Sequence, residues 1–180
     1  MTIRQAILPE PVVEGFTEDP ASLHGAAVRG DLGTVRAHLA DHHPEQVDPT
    51  GARPLHLAAQ HGHVRVAHAL LEAGASANAR WGHDLRPLHL AAAGGHVRVV
   101  HALLEAGARV DASDSASFTA LHTAAASGHP LVVRRLLLAG ADANRYVGDL
   151  QAVDLARRAG CWRCVGLLLQ VMTPGSHHLR

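Results

Sequence analysis

The chain contains no lysine: its 16 basic residues are all arginine, balanced by 16 acidic ones for a formal charge of zero. That balance argues against the basic footprint of a dedicated nucleic-acid binder, and the arginine bias reads as genome composition rather than chemistry. Aromatic residues make up only 3% of 180 residues, whereas apolar residues make up 47%. The core must therefore be built from Ala, Leu and Val, small enough for helices to pack closely. The two cysteines, Cys161 and Cys164, are too few and too near each other for a disulfide framework. No apolar stretch approaches the length of a membrane span. The first residues, Met1 to Gln5, lead into Pro9, Glu10, Pro11 and Glu14 without the apolar run of a signal peptide, so the cytosol is the expected compartment.

What the chain does contain is a repeat. Arg53-Pro54-Leu55-His56-Leu57-Ala58-Ala59 returns as Arg86-Pro87-Leu88-His89-Leu90-Ala91-Ala92 and again as Thr119-Ala120-Leu121-His122-Thr123-Ala124-Ala125, each 33 residues after the last. Gly62-His63, Gly95-His96 and Gly128-His129 follow at the same interval. Weaker copies begin near Ser22-Leu23-His24 and at Ala152-Val153-Asp154. Seven of the 16 histidines belong to this pattern: His24, His56, His89 and His122 in one column, His63, His96 and His129 in another.

Within a unit, Pro54 suits the first turn of a helix, where its missing N–H costs nothing. Leu55, Ala58 and Ala59 then share one face until Gly62 ends the helix. A second helix follows, with Val66, Ala67, Leu70 and Leu71 at the three-and-four spacing of a buried stripe, and Gly74 stops it. The third unit repeats this order through Val99, Val100, Leu103, Leu104 and Gly107, the fourth through Val132, Val133, Leu136, Leu137 and Gly140. Such a helix pair cannot bury its apolar faces alone, so neighbouring units must stack into an all-α solenoid.

The 33-residue period, the Pro-Leu-His-Leu-Ala-Ala words, the Gly-His pairs and the Leu-Leu-Glu-Ala-Gly-Ala words with Asn78 or Asn144 after them resemble the ankyrin-repeat family over about five-sixths of the chain. On that resemblance residues 1–20 form an extended lead with Phe16 as its anchor. Residues 21–171 form the repeat domain, with units at about 21–52, 53–85, 86–118, 119–150 and 151–171, and residues 172–180 form a flexible tail. The first and last units should be caps: Asp41, His42, His43, Glu45 and Gln46 in one, Asp154, Arg157, Arg158 and Arg163 in the other, give wetter outer faces. Departures from the pattern are informative. Only Thr119 keeps the family's threonine at the start of the first helix, with Arg53, Arg86 and Gln151 replacing it, so the histidines should carry more of the turn. The link from Asn78 to Arg86 lacks the glycine that the family places two residues before the threonine, which puts its hairpin in question.

Chemistry has weak support. His61 and His63 flank a helix break, and no Cys or carboxylate completes a tetrahedron with them or with His42-His43, so no metal is expected. The His24, His56, His89 and His122 column reads as turn-stabilising hydrogen bonding. Cys161-Trp162-Arg163-Cys164 has the redox spacing without the strand–helix context such a motif needs, and Cys164 stands in a core slot as a small apolar residue. No nucleophile elbow or phosphate loop is present, so no catalytic residue and no cofactor are assigned.

The resemblance implies instead a non-enzymatic, monomeric module gripping a protein partner, and neither nucleic acid nor membrane, through hairpin tips and a concave face. The tips would be Trp81, His83, Asp84 and Leu85; Ser115, Ser117 and Phe118; and Tyr146, Asp149 and Leu150. The floor would be Gln60, His61, Ala93, Gly94, Ala126 and Ser127. Trp81 and Tyr146 are the expected contact rings, because aromatics carry interface energy. Phe118 and Leu85 have two readings, contact or packing between units. Arg36, His68, His101 and Arg134 form a solvated stripe on the second helices. The rival reading is a small enzyme or enzyme subunit using His61, His83 and Asp84 in the groove.

Overall fold

Short helix pairs arise because each unit carries its own start and stop signals. In the computed structural model, which describes residues 22–41 and 43–172, the helices are α1 (Leu23–Arg29), α2 (Leu32–Asp41), α3 (Pro54–His61), α4 (Val64–Glu72), α5 (Pro87–Ala93), α6 (Val97–Glu105), α7 (Ala120–Ala126), α8 (Pro130–Leu138), α9 (Ala152–Arg158) and α10 (Trp162–Met172). Proline opens α3 and α5, and Gly62 at φ 76° closes α3. Gly74, at φ 94°, ends α4. There the Ala75 N–H reaches the Leu70 carbonyl at 2.9 Å and the Gly74 N–H the Leu71 carbonyl at 3.0 Å, a Schellman closure.

The odd-numbered helices stack on one another as an inner layer, and the even-numbered helices stack as an outer one. Close approach in the inner layer depends on Ala58, Ala91, Ala124 and Ala156, all fully buried. Between the layers Leu70, Leu103, Leu136 and Leu168 repeat as a fully buried ladder, with Val66, Val99 and Val132 beside them. The links are hairpins: Trp81 pairs with Leu85, Ser113 with Thr119, and β1 (Tyr146–Val147) with β2 (Leu150–Gln151). Together these are five stacked units in an all-α solenoid, as the periodicity requires.

Several sequence expectations change. The final helix extends through Met172, which had been assigned to the tail. Cys164 is buried in the core, but it is also bonded to Cys161, so the pair is not two isolated thiols. The extended lead, with Phe16, lies outside the described residues, as do His42 and the tail beyond Met172. Among the described residues no helix is long and apolar enough to cross a membrane.

Leu103 is fully buried in the hydrophobic core. Leu103→Ala should therefore cost about 2–5 kcal/mol in denaturant unfolding, the loss expected for a core cavity. A loss under about 0.5 kcal/mol would mean that the outer helix is turned the other way.

Candidate functional site

The hairpins are held by buried imidazoles. The Arg53 N–H donates to His56 Nδ1 at 3.1 Å, while His56 Nε2 donates forward to the Ala79 carbonyl at 3.0 Å. His89 repeats this between the Arg86 N–H and the Phe118 carbonyl, and His122 between the Thr119 N–H and the Arg145 carbonyl. A ring nitrogen that accepts a backbone N–H carries no proton, so each ring is the neutral Nε2–H tautomer. Desolvation favours that state: it pushes His56 down to about 4, and it also lowers His89 and His122. In the last unit Asp154 replaces the imidazole and accepts the Gln151 N–H at 3.1 Å.

The second histidine column, to which the sequence reading gave no role, stitches backward. His63, His96 and His129 donate from Nε2 to the carbonyls of Val28, Gln60 and Ala93 at 2.7, 3.0 and 2.9 Å. Each ring lies flat on the preceding unit's glycine turn; a Cβ on Gly62 would sit 2.4 Å from His96 Nδ1. A third ladder uses Glu45, Asn78 and Asp111, which accept the backbone N–H of Ser76, Arg109 and Asp142 at 2.8, 2.9 and 3.0 Å. Glu45 is thus part of the stitching rather than only a polar cap. The arginines in the threonine slots contribute as well: Arg53 Nη1 reaches the Arg80 carbonyl and Arg86 Nη1 the Ser113 carbonyl, at 3.1 and 2.8 Å. The histidines therefore share with arginine the load left by the missing threonines.

On this frame the expected contact residues separate into two groups. Trp81 is only 7% exposed, its Nε1 donates to the Thr50 carbonyl at 3.2 Å and its ring lies 5.9 Å from that of His56. It stands where Asp48 and Asp114 organise the neighbouring hairpins through short bonds to their own backbone. Lacking a carboxylate, it packs back over the preceding link, so the expectation of an exposed ring is corrected. Leu85 is buried too, and Phe118 and Leu150 pack partly against the core. By contrast Tyr146 is 62% exposed, and His83 and Asp149 are exposed beside the tips. Asp84 is half-buried, bonds Arg80 at 3.2 Å and sits at φ 61°. It takes the left-handed position of the missing glycine, and Ser117 does the same at φ 68°. The hairpin is therefore formed despite the departure.

On the floor, Gln60 is half-buried and His61 exposed, with its ring stacked 6.2 Å from that of His63. Desolvation first, then the neighbouring His63 and His96, lower the pKa of His61. Arg36, His68, His101 and Arg134 are exposed as expected; Arg135 donates to His101 Nδ1 at 2.7 Å. Among the described residues no cluster of three or more His, Cys, Asp or Glu could hold a metal.

A cavity of about 560 Å³ lies elsewhere, between α8 and α10, lined by Pro130, Leu131, Arg134, Arg163, Gly166 and Leu167 among others. Gly166 stands where His68, His101 and Arg134 stand, and nothing lies within 4 Å of where its Cβ would be. Leu131, 65% exposed, lies in this lining, and Trp162, 73% exposed, opens α10; neither exposure was expected from the sequence. The available signal was that Leu131 replaces Arg65 and Arg98 in the pattern. The lining offers no carboxylate or thiol, and its one imidazole, His129, is already bonded to Ala93. The lining thus brings no carboxylate or thiol next to that ring.

Comparison with known proteins gives two family matches. A model described as ankyrin repeats in three copies matches residues 82–147, and one described as ankyrin repeats in many copies matches residues 55–104. Together they span just over half of the chain. The GA-binding protein subunit beta-2 of Mus musculus is 47% identical over 55 residues, which is 31% of this chain and 13% of that protein. The proteins of the same name from Bos taurus and Homo sapiens match at 47% over 55 residues, 12% of their length. The chain thus spans about an eighth of the curated relatives it matches.

Two outcomes follow from this frame. The buried imidazoles have folded pKa values below the ordinary 6.5, so an unfolded chain takes up protons that the folded one refuses. Their stabilisation is complete above about pH 6.5 and is lost as the pH falls below it, for His56 through about 4. At about 1.4 kcal/mol per tenfold change in proton affinity, His56 alone should remove roughly 3 kcal/mol across that window. Urea unfolding from pH 7 to pH 4 measures this; a flat profile would mean that the rings accept protons in place. At the hairpin, Asp84→Gly should stay within about 1 kcal/mol of the parent, whereas Asp84→Val should cost about 1–3 kcal/mol, because a β-branched residue resists positive φ. Equal losses for the two, by thermal melting, would remove the glycine-substitute role.

Proposed function

The chain belongs to the ankyrin-repeat family, and from that premise we propose that it binds a partner protein through its hairpin tips and the adjoining concave floor. Repeats of this family are generally protein-interaction modules; the finer assignment concerns which residues do the gripping. The observation that carries it is the lack of internal work at the tips. Tyr146, His83 and Asp149 are exposed, and among the described residues their side chains make no hydrogen bond or ion pair, although the backbones around them are tied down by the ladders. A ring whose backbone is already fixed has only its two side-chain torsions left to order on contact, which favours it as an interface anchor.

Gln60 and His61 would form the nearer floor, with Ala93, Gly94, Ala126 and Ser127 leaving room beyond them. Asp84, Leu85, Phe118 and Trp81 support the surface from beneath. They would act on a partner through the shape of the hairpins, not by direct insertion of their rings. The rival enzymatic reading through His61, His83 and Asp84 gains no support from the geometry: Asp84 is engaged with Arg80, and His61 pairs with His63. The matched relatives are named as subunits of a GA-binding protein, which fits an assembly role for the shared segment without naming a partner here.

The test is affinity capture from a lysate of the source cells with the parent chain and with the Tyr146→Ala/His83→Ala variant. The variant should keep the parent melting temperature and retain at least about tenfold less of any polypeptide that the parent retains specifically. Equal retention by both, or no polypeptide above a blank support, would overturn the assignment of this surface.

A further inference from the structure

The only two cysteines in the sequence interrupt the repeat at neighbouring slots, and the fold joins them. Cys161 occupies the slot of His63, His96 and His129, and Cys164 the slot of Val66, Val99 and Val132. The first replacement gives up a backward stitch: at Gly128 a Cβ would meet only Cys161 Cβ, at 3.8 Å, where a ring fills the same space in earlier units. In exchange the two sulfurs are bonded, with Cα atoms 5.2 Å apart.

We propose that Cys161 and Cys164 are a reversible dithiol–disulfide pair, a thiol-exchange site with Cys161 as the sulfur that external thiols attack. This does not rest on the partner-binding reading.

Three observations support it. The bond is a poor staple: it closes a loop of four residues that is already fixed as the first turn of α10 by the Val165 N–H on the Cys161 carbonyl at 3.0 Å. Stabilisation by a cross-link grows with the loop it closes, so this one is near the minimum. Access is one-sided, because Cys161 is half-buried at the surface whereas Cys164 is fully buried. Finally, the site favours a thiolate on Cys161. It stands just before an 11-residue helix with no acid in its first turn, and its Sγ accepts the Cys164 N–H at 3.3 Å.

The charges on the packed elements are mostly cationic: Arg163 on α10, Arg157 and Arg158 on α9, and Arg134 and Arg135 on α8. The exceptions are Asp154, which is paired with Arg157, and the imidazole of His129.

The chemistry balances with a low-molecular-mass thiol as co-reactant. Its thiolate attacks Cys161 Sγ, a new S–S bond forms, and the Cys161–Cys164 bond breaks with Cys164 leaving as thiolate and taking a proton from solvent. A second thiolate then attacks the sulfur of the bound thiol. Cys161 leaves as a thiolate, the external disulfide departs, and two electrons have passed to the protein. The reverse sequence oxidises the pair. The exposed ring of Trp162 lies between the two sulfurs in sequence and offers an apolar surface to the bound thiol.

The experiment equilibrates the full chain in buffers of graded reduced-to-oxidised glutathione, traps free thiols with iodoacetamide and reads the mass. The expected result is one two-electron transition between no label and two labels, with the melting temperature moving by less than about 5 °C across it. Cys164→Val, which restores the residue of the earlier units, isolates Cys161. Its alkylation should rise with pH to a midpoint below the ordinary thiol value of about 8.5. Two free thiols at every ratio, a bond that persists throughout the glutathione range, or loss of the last unit's helicity on reduction would each overturn the proposal. So would an alkylation midpoint at or above the ordinary value.

Discussion

A stack of helix pairs must solve one problem at every joint: the backbone of each connecting hairpin is partly withdrawn from water, and its N–H and carbonyl groups need partners. Here imidazole supplies them from two directions. In the units that begin at residues 53, 86 and 119, one ring accepts an N–H at its own helix start and donates a hydrogen bond to a carbonyl of the hairpin that follows. Another, from the next unit, covers the glycine turn behind it and donates a hydrogen bond to a carbonyl near the end of the preceding inner helix. Histidine suits this role because a neutral ring is at once donor and acceptor at a fixed separation. The same burial that makes these bonds strong forbids the charged state, so the stitching depends on pH.

Satisfying the backbone internally frees the side chains at the tips. Glu45, Asn78 and Asp111 complete the ladder between successive links, and Arg53 and Arg86 reach one link further than a threonine could. Among the described residues, Tyr146, His83 and Asp149 are exposed hairpin side chains without a hydrogen bond or ion pair. Trp81 shows the opposite outcome. Where its neighbours in the pattern are aspartates that fold the hairpin onto itself, the indole covers the preceding link and its one N–H is used there. An aromatic in a link is thus not sufficient grounds for an exposed anchor; the slot it occupies decides.

The last unit departs most from the others. In it Trp162 is exposed, Asp154 replaces an imidazole, and a cysteine pair replaces a ring and a core valine. Gly166 leaves an open space against α8 at the same end.

Period, helix ends and core ladder were legible from the residues alone, because each depends on local spacing: proline and glycine punctuate, and leucine and valine recur at helical intervals. The histidine column at His56, His89 and His122 was legible for the same reason. What the chain order could not reveal was which side chains meet across units. The backward reach of His96, the recruitment of Glu45 and the burial of Trp81 all depend on how far one unit is offset from the next. That offset is set where the inner helices pack on one another, with their alanines fully buried, between segments some thirty positions apart, and so only the assembled stack determined it.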